Sequence, residues 1–187
     1  MNLEQRAEKL ATHFHEGQFR RNRNLPYITH PASIVLMLKD YGITDEYSIC
    51  IAWMHDLLED TSCPYETLVE TFGKHIAEGV QWMTQSGSHD DYRRQIARAP
   101  SRVQIVKLFD VMHNLKTLEY LNVTGISRKM ESCYTFYIPL ARSIDSVLEK
   151  MLRDSLFDFY KRAKVAATDP TVQSAKIPRK PYDACVA

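Results

Sequence analysis

Apolar residues recur about every 3.6 positions along most of the chain, the spacing of one helix face. Leu3, Ala7, Leu10 and Phe14 define a first helix that stops at Gly17. From Gln18 to His30 the period is lost and three arginines, Arg20, Arg21 and Arg23, intervene; this stretch reads as a loop. Pro31 suits the first position of a second helix, with Ile34, Val35, Leu38 and Tyr41 on one side and Gly42 at its end. A third helix is predicted from Asp45 or Glu46 to about Asp60. Its middle, Ile49 to Met54, is apolar all round, which makes it the central buried helix.

Pro64 opens a short fourth helix ending near Phe72 and Gly73, and Lys74 to Thr84 forms a fifth. Gln85 to Ser88 breaks the pattern before a polar helix from Asp90 to Ala99. Ser101 is placed to cap a long helix reaching about Tyr120, followed by a loop from Asn122 to Gly125. The pattern is helical again from Ser127 to about Lys164, with Pro139 at a kink or boundary. No segment alternates with period two for long, and there is no internal repeat. The expectation is an all-α, compact multi-helix bundle: one domain over residues 1–165 and an extended or disordered tail over 166–187.

Composition narrows the classes. Of 187 residues 44% are hydrophobic and 25% charged, with 6 Gly and 8 Pro, which excludes disordered and collagen-like chains. A net charge of +1 provides no global field for a polyanion, so neither nucleic acid nor an anionic membrane is expected as partner. Cys50, Cys63, Cys133 and Cys185 are too scattered for a disulfide scaffold and suggest a reducing compartment. The first residues lack the apolar stretch of a signal peptide, and no run approaches the roughly 20 apolar residues of a membrane span. The location expected is cytoplasmic; the oligomeric state stays open.

Candidate chemistry begins where acids interrupt apolar runs. His55 and Asp56 directly follow the most hydrophobic turns, and an aspartate is rarely buried without a partner or a metal. On a continuous helix Glu59 and Asp60 would share their sector, and three crowded carboxylates require something positive. Asp110 is a second acid among apolar neighbours, with Lys107 one turn before it and Asn114 one turn after. His30 stands where the arginine-bearing loop meets a helix. Together, two imidazoles and two carboxylates suit a divalent ion such as Mn²⁺, Fe²⁺ or Co²⁺ better than a thiolate-type structural zinc. His113 projects in a different direction from Asp110 and is assigned to packing or support.

These pieces resemble the HD-domain metal-dependent phosphohydrolases, and within them the RelA/SpoT hydrolase domain and the stand-alone small alarmone hydrolases. The similarity rests on the stretches His15–Arg20, Pro26–Pro31, His55–Thr61, Phe72–Gly73 and Val106–Thr117, in the same order, with a weaker match at Tyr137–Arg142. The resemblance implies one Mn²⁺ per chain held by His30, His55, Asp56 and Asp110, with Glu59 and Asp60 as the catalytic acids. It further implies substrate contacts from Arg20, Arg21, Lys107, Asn114 and Arg142. The implied reaction removes the 3′-pyrophosphate of guanosine 3′,5′-bis(diphosphate)-type nucleotides, giving GDP or GTP and pyrophosphate. Adenosine alarmones or the 2′-phosphate of NADPH are alternative substrates, and a silent nucleotide-binding module is the alternative from another class. Two departures stand out: Val111 replaces the usual basic residue after the last ligand, and the usual glycine before Pro26 is absent from Arg23-Asn24-Leu25.

Overall fold

Residues 1–20, 25–116 and 123–168 are described in the computed structural model. Helices dominate them in the order α1 (Leu3–Phe14), α2 (Thr29–Asp40), α3 (Glu46–Met54), α4 (Leu57–Asp60), α5 (Tyr65–Phe72), α6 (Lys74–Met83), α7 (His89–Arg98), α8 (Ser101–Leu115), α9 (Val123–Ser132), α10 (Ile138–Ile144) and α11 (Ser146–Thr168). The extended pairing among these residues is an isolated bridge between Phe19 and Pro26, so the fold is all-α.

The all-round apolar stretch does lie at the centre. Ser48 through Met54 of α3 are all buried, and α1, α2, α6 and α8 pack around them. Asp45 starts α3, its side chain accepting Ser48 N–H at 3.0 Å. Gly73, at φ 81°, separates α5 from α6 in a backbone region that favours glycine. Gly79 lets α6 approach α3, since a Cβ there would lie 2.3 Å from Ile51 Cδ1.

The expected continuous helix to Asp60 is interrupted. α3 ends at Met54, Asp56 adopts φ −100° and ψ 0°, and α4 is a separate single turn. The interruption buries Leu57 completely, worth about 1.5–3 kcal/mol for a side chain of that size. The four polar residues therefore do not lie on one continuous helix: His55 closes α3, Asp56 precedes α4, and Glu59 and Asp60 belong to α4. Ser101 is not a cap: Pro100 occupies that position and Ser101 is already helical. Helix α8 closes at Lys116, and residues 117–120 of its expected extension lie outside the described residues. Of the expected loop Asn122–Gly125, residues 123–125 belong to α9 instead.

Pro139 marks a boundary of a particular kind. Cys133–Tyr137 form a π-turn in which Ile138 N–H bonds to Cys133 O, and Pro139 sits in the first turn of α10. Proline crowds the carbonyl four residues before it, here Thr135, and the wider turn relieves that clash. α11 lays Leu148, Leu152, Leu156 and Phe159 against α8 and α10. Its Arg162 donates to Leu115 O at 2.8 Å and Lys116 O at 2.9 Å, closing the end of α8. Helical backbone extends to Thr168; the rest of the expected tail, from 169, lies outside the described residues.

Candidate active site

Three helices and the break after one of them converge on one polar point. His30 enters from the first turn of α2, His55 from the end of α3, Asp56 from the break after it, and Asp110 from the middle of α8. His30, His55 and Asp110 are buried, with 1%, 2% and 4% of their surfaces exposed. His55 Nε2 lies 2.8 Å from Asp56 Oδ2, and His30 Nε2 lies 3.7 Å from the same oxygen. Donor atoms of these three residues fall within 4.8 Å of one another. Asp110 stands outside that tightest trio, but its Oδ1 is 3.1 Å from His30 Nε2 and 3.8 Å from His55 Nε2.

The donors fit a divalent cation. His55 Nδ1 is fixed by Ala52 O at 2.9 Å, which keeps a hydrogen there and makes Nε2, once its own proton is lost, the nitrogen that would face a cation. That Nε2 is buried, and Asp56 Oδ2 lies 2.8 Å from it. A buried ring nitrogen without a hydrogen-bond partner, set beside two carboxylates, is the arrangement a cation would complete by taking the place of the ring proton, with metal–ligand distances of about 2.0–2.2 Å. Burial alone would raise the Asp56 carboxyl, but the neighbouring His55 outweighs it and holds it low. Burial likewise opposes ionisation of Asp110, and the Lys107 charge overcomes it.

Glu59 and Asp60 flank this point with separate supports. Glu59 Oε2 accepts Gln85 N–H at 2.8 Å. The Gln85 turn is itself held by α7: Gln95 Nε2 donates to Trp82 O and Thr84 O, both at 2.9 Å, and Tyr92 OH to Met83 O. Tyr27 OH donates to Asp56 Oδ2 and lies 3.2 Å from Asp60 Oδ2. Burial, reinforced by Asp56, pushes the Tyr27 phenol far up, so it stays a proton donor. Partial desolvation in the cleft raises both the Glu59 and Asp60 carboxyls, although the side chains reach solvent.

A cleft of about 360 Å³ opens above these groups, with Arg20, Lys107, Asn114 and Lys129 in its wall. Arg20 Nη2 donates to Asn114 Oδ1 at 2.9 Å, and Asn114 Nδ2 to Asp110 Oδ1 at 2.6 Å. Lys107 Nζ lies 2.9 Å from Asp110 Oδ2. Arg142 is a correction: it does not line this cleft but forms a two-pronged pair with Glu149 on the surface, at 2.9 and 2.7 Å. It stands in the last turn of α10, where Glu149 of α11 is the carboxylate beside it. Arg21 and Arg23 lie outside the described residues. Val111 is buried in the core and takes no part in the cleft wall.

Tyr27, Gln85 and Lys129 are cleft residues that motif reasoning passed over. Tyr27 was visible as the aromatic three residues before His30. Gln85 acts through its main chain and leaves no side-chain signal.

An HD-domain family model matches residues 7–145. The chain is 33% identical over 149 residues to a guanosine-3′,5′-bis(diphosphate) 3′-pyrophosphohydrolase of Aquifex aeolicus, a match covering 75% of this chain and 21% of that protein. It is 30% identical over 150 residues to the bifunctional (p)ppGpp synthase/hydrolase SpoT of Escherichia coli K12, covering 74% and 21%. The chain thus spans about a fifth of the length of these curated relatives. In fold it matches the structure of a metazoan SpoT ortholog described as hydrolysing ppGpp, with a TM-score of 0.74, 21% identity, and coverage of 84% of this chain and 96% of the other. With the model spanning most of its length, from α1 to the start of α11, the chain belongs to the HD-domain family.

Proposed function

We propose that the protein is a metal-dependent pyrophosphohydrolase that removes the 3′-pyrophosphate of guanosine 3′,5′-bis(diphosphate)-type nucleotides. The observation that carries this reading is one cleft combining a divalent-cation donor set with two carboxylates and cationic side chains. The names of the similar hydrolases support the substrate class. His30, His55, Asp56 and Asp110 would hold one Mn²⁺. When bound, such an ion supplies Lewis-acid polarisation of a phosphate oxygen and makes water more acidic.

The chain's own residues perform the remaining work. Asp60 and Glu59 orient the attacking water and accept its proton, a role that carboxyls raised toward neutrality suit better than ordinary ones. The water oxygen bonds to the phosphorus next to the ribose 3′-oxygen as that P–O bond breaks; the sugar oxygen leaves as the hydroxyl, taking the proton the carboxylates had accepted, and the attacked group departs as pyrophosphate. Lys107 and Arg20 offset phosphate charge, while Asn114 holds the sugar side of the nucleotide. Residues 1–165 would form the catalytic domain, acting on a small-molecule nucleotide. No described helix is long and apolar enough to cross a membrane; we assign a cytoplasmic location.

The test is product analysis. Manganese-loaded protein is incubated separately with guanosine tetraphosphate, its adenosine counterpart and NADPH, and the products are resolved by anion exchange. Intact pyrophosphate from the guanosine compound is expected. Orthophosphate from NADPH would replace this substrate assignment, a preference for the adenosine compound would change the base, and no turnover of any would favour a nucleotide-binding module.

A further inference from the structure

His15 is buried, yet the chemistry above has no use for it. It caps the end of α1 and borders a neighbouring open groove of about 660 Å³, outside the cleft wall. Its Nδ1 lies 2.8 Å from Gln18 Oε1, and Gln18 Nε2 donates to Asp60 O at 2.9 Å. The amide therefore presents its oxygen to the ring and its NH₂ to a carbonyl, which assigns the imidazole hydrogen to Nδ1. Burial depresses proton binding by His15 and favours that neutral ring.

The same two residues also fasten Tyr27. Gln18 O accepts Tyr27 N–H at 2.9 Å, and the His15 ring stacks on the Tyr27 ring with centroids 4.4 Å apart. Their other target is a weak element. α4 has only four residues, too few to sustain a helix, and the carbonyl of its last residue, Asp60, has no partner within the turn. Gln18 supplies that partner from a segment 42 residues away in sequence.

We propose that His15 and Gln18 are positioning residues for the hydrolytic step, a brace that holds the Asp60 main chain and the Tyr27 ring in mutual register. The proposal deepens the hydrolase reading and rests on it. Tyr27 OH then reaches Asp56 and Asp60 from a fixed ring, and Asp60 faces the water from a fixed turn. Neither His15 nor Gln18 touches substrate in this scheme.

Three variants separate the contacts. Gln18→Met removes both polar ends at similar length, Gln18→Glu keeps an oxygen for His15 but has no N–H for Asp60, and His15→Phe keeps the stack and loses the donor. With manganese-loaded protein and guanosine tetraphosphate, kcat should fall about ten- to a hundredfold in both Gln18 variants. KM and manganese stoichiometry should stay within about twofold, because binding groups are untouched. His15→Phe should lie between these variants and the wild type. Amide exchange at Glu59 and Asp60, both bonded to Asp56 O, should accelerate in the Gln18 variants even without metal. Unchanged kcat or unchanged exchange in folded Gln18→Met overturns the brace. So does a loss shared equally by kcat, KM and Tm, which marks general destabilisation. A wild type that releases no pyrophosphate sinks the hydrolase reading alone, and the exchange comparison still decides whether the brace holds Asp60.

Discussion

His30 and His113 face each other nitrogen to nitrogen, with Nδ1 of one 2.7 Å from Nδ1 of the other. Two ring nitrogens at that distance share one hydrogen. Burial, aided by the charges of His30 and Arg20, pushes the His113 pKa down to about 3, so His113 is neutral and free to accept. With the hydrogen on His30 Nδ1, His30 Nε2 faces Asp110 and Asp56 as a lone pair, the form a metal ligand needs.

The first prediction follows from that pair. His113→Leu removes the acceptor and leaves all four proposed ligands in place. Manganese affinity, measured by equilibrium dialysis with metal analysis, should drop about ten- to a hundredfold. Unaltered affinity in a folded variant would contradict the orienting role.

Asp110 and Lys107 give a prediction about stability. Both side chains are largely buried and 2.9 Å apart, so Asp110→Asn leaves Lys107 without its anion. Breaking a buried pair from one side costs about 3–5 kcal/mol. Denaturant unfolding of the metal-free protein should show that loss at neutral pH. The double variant Asp110→Asn with Lys107→Met should recover much of it, yet neither should regain metal binding. The pH sign follows from the depressed Asp110 carboxyl. Its contribution is present above the ordinary carboxylate pKa of about 4 and fades as pH falls through the folded value. The gap between wild type and Asp110→Asn should therefore narrow in acid.

The bundle was legible because helix-forming residues obey a local period, and α3 betrayed its central place by being apolar on every side. His55, Asp56 and Asp110 stood out for an energetic reason, since polar groups in apolar runs require partners, whereas His30 was marked by its place where a loop meets a helix. What escaped was set by tertiary contact. The break at Asp56 depends on burying Leu57, and the Gln85 contribution to Glu59 is a main-chain N–H. Arg142 was a substrate contact only by resemblance, and the pattern along the chain gave no sign that Glu149 is within its reach across the α10–α11 corner. Tyr27 lies within the Pro26–Pro31 stretch, but only the fold brings its hydroxyl to two carboxylates.

Metal uptake should be linked to protons through His55. Burial opposes its charged form, but Asp56 and Asp110 together outweigh that and raise it to about 9. In the metal-free protein this raised value adds stability below the ordinary histidine pKa of about 6.5, and the stability is lost as pH rises through the folded value. A cation must displace the same proton. Apparent manganese affinity should thus climb by up to about tenfold per pH unit before levelling above the folded pKa. Calorimetric titration in two buffers of different ionisation enthalpy should find a proton released per ion; affinity independent of pH would refute the linkage.

The last prediction separates holding the ion from handling water. Glu59 and Asp60 lie outside the donor cluster, one braced by Gln85 N–H and the other facing Tyr27 OH. Glu59→Gln and Asp60→Asn should therefore lower turnover by about a hundredfold or more while manganese content stays near that of the wild type. Stability should move the other way. Desolvation in the cleft raises both carboxyls, so their favourable contribution exists only below the ordinary carboxylate range and is lost as pH rises through the folded values. At neutral pH the charged acids oppose folding, which is a familiar tension at reacting sites. Each amide variant should consequently melt, without metal, at or above the wild-type Tm despite being a poorer enzyme. Metal analysis, hydrolysis rate and thermal unfolding on the same preparations check all three outcomes. Normal turnover in both variants would remove these acids from the mechanism, and a parallel loss of metal would move them into the ligand set.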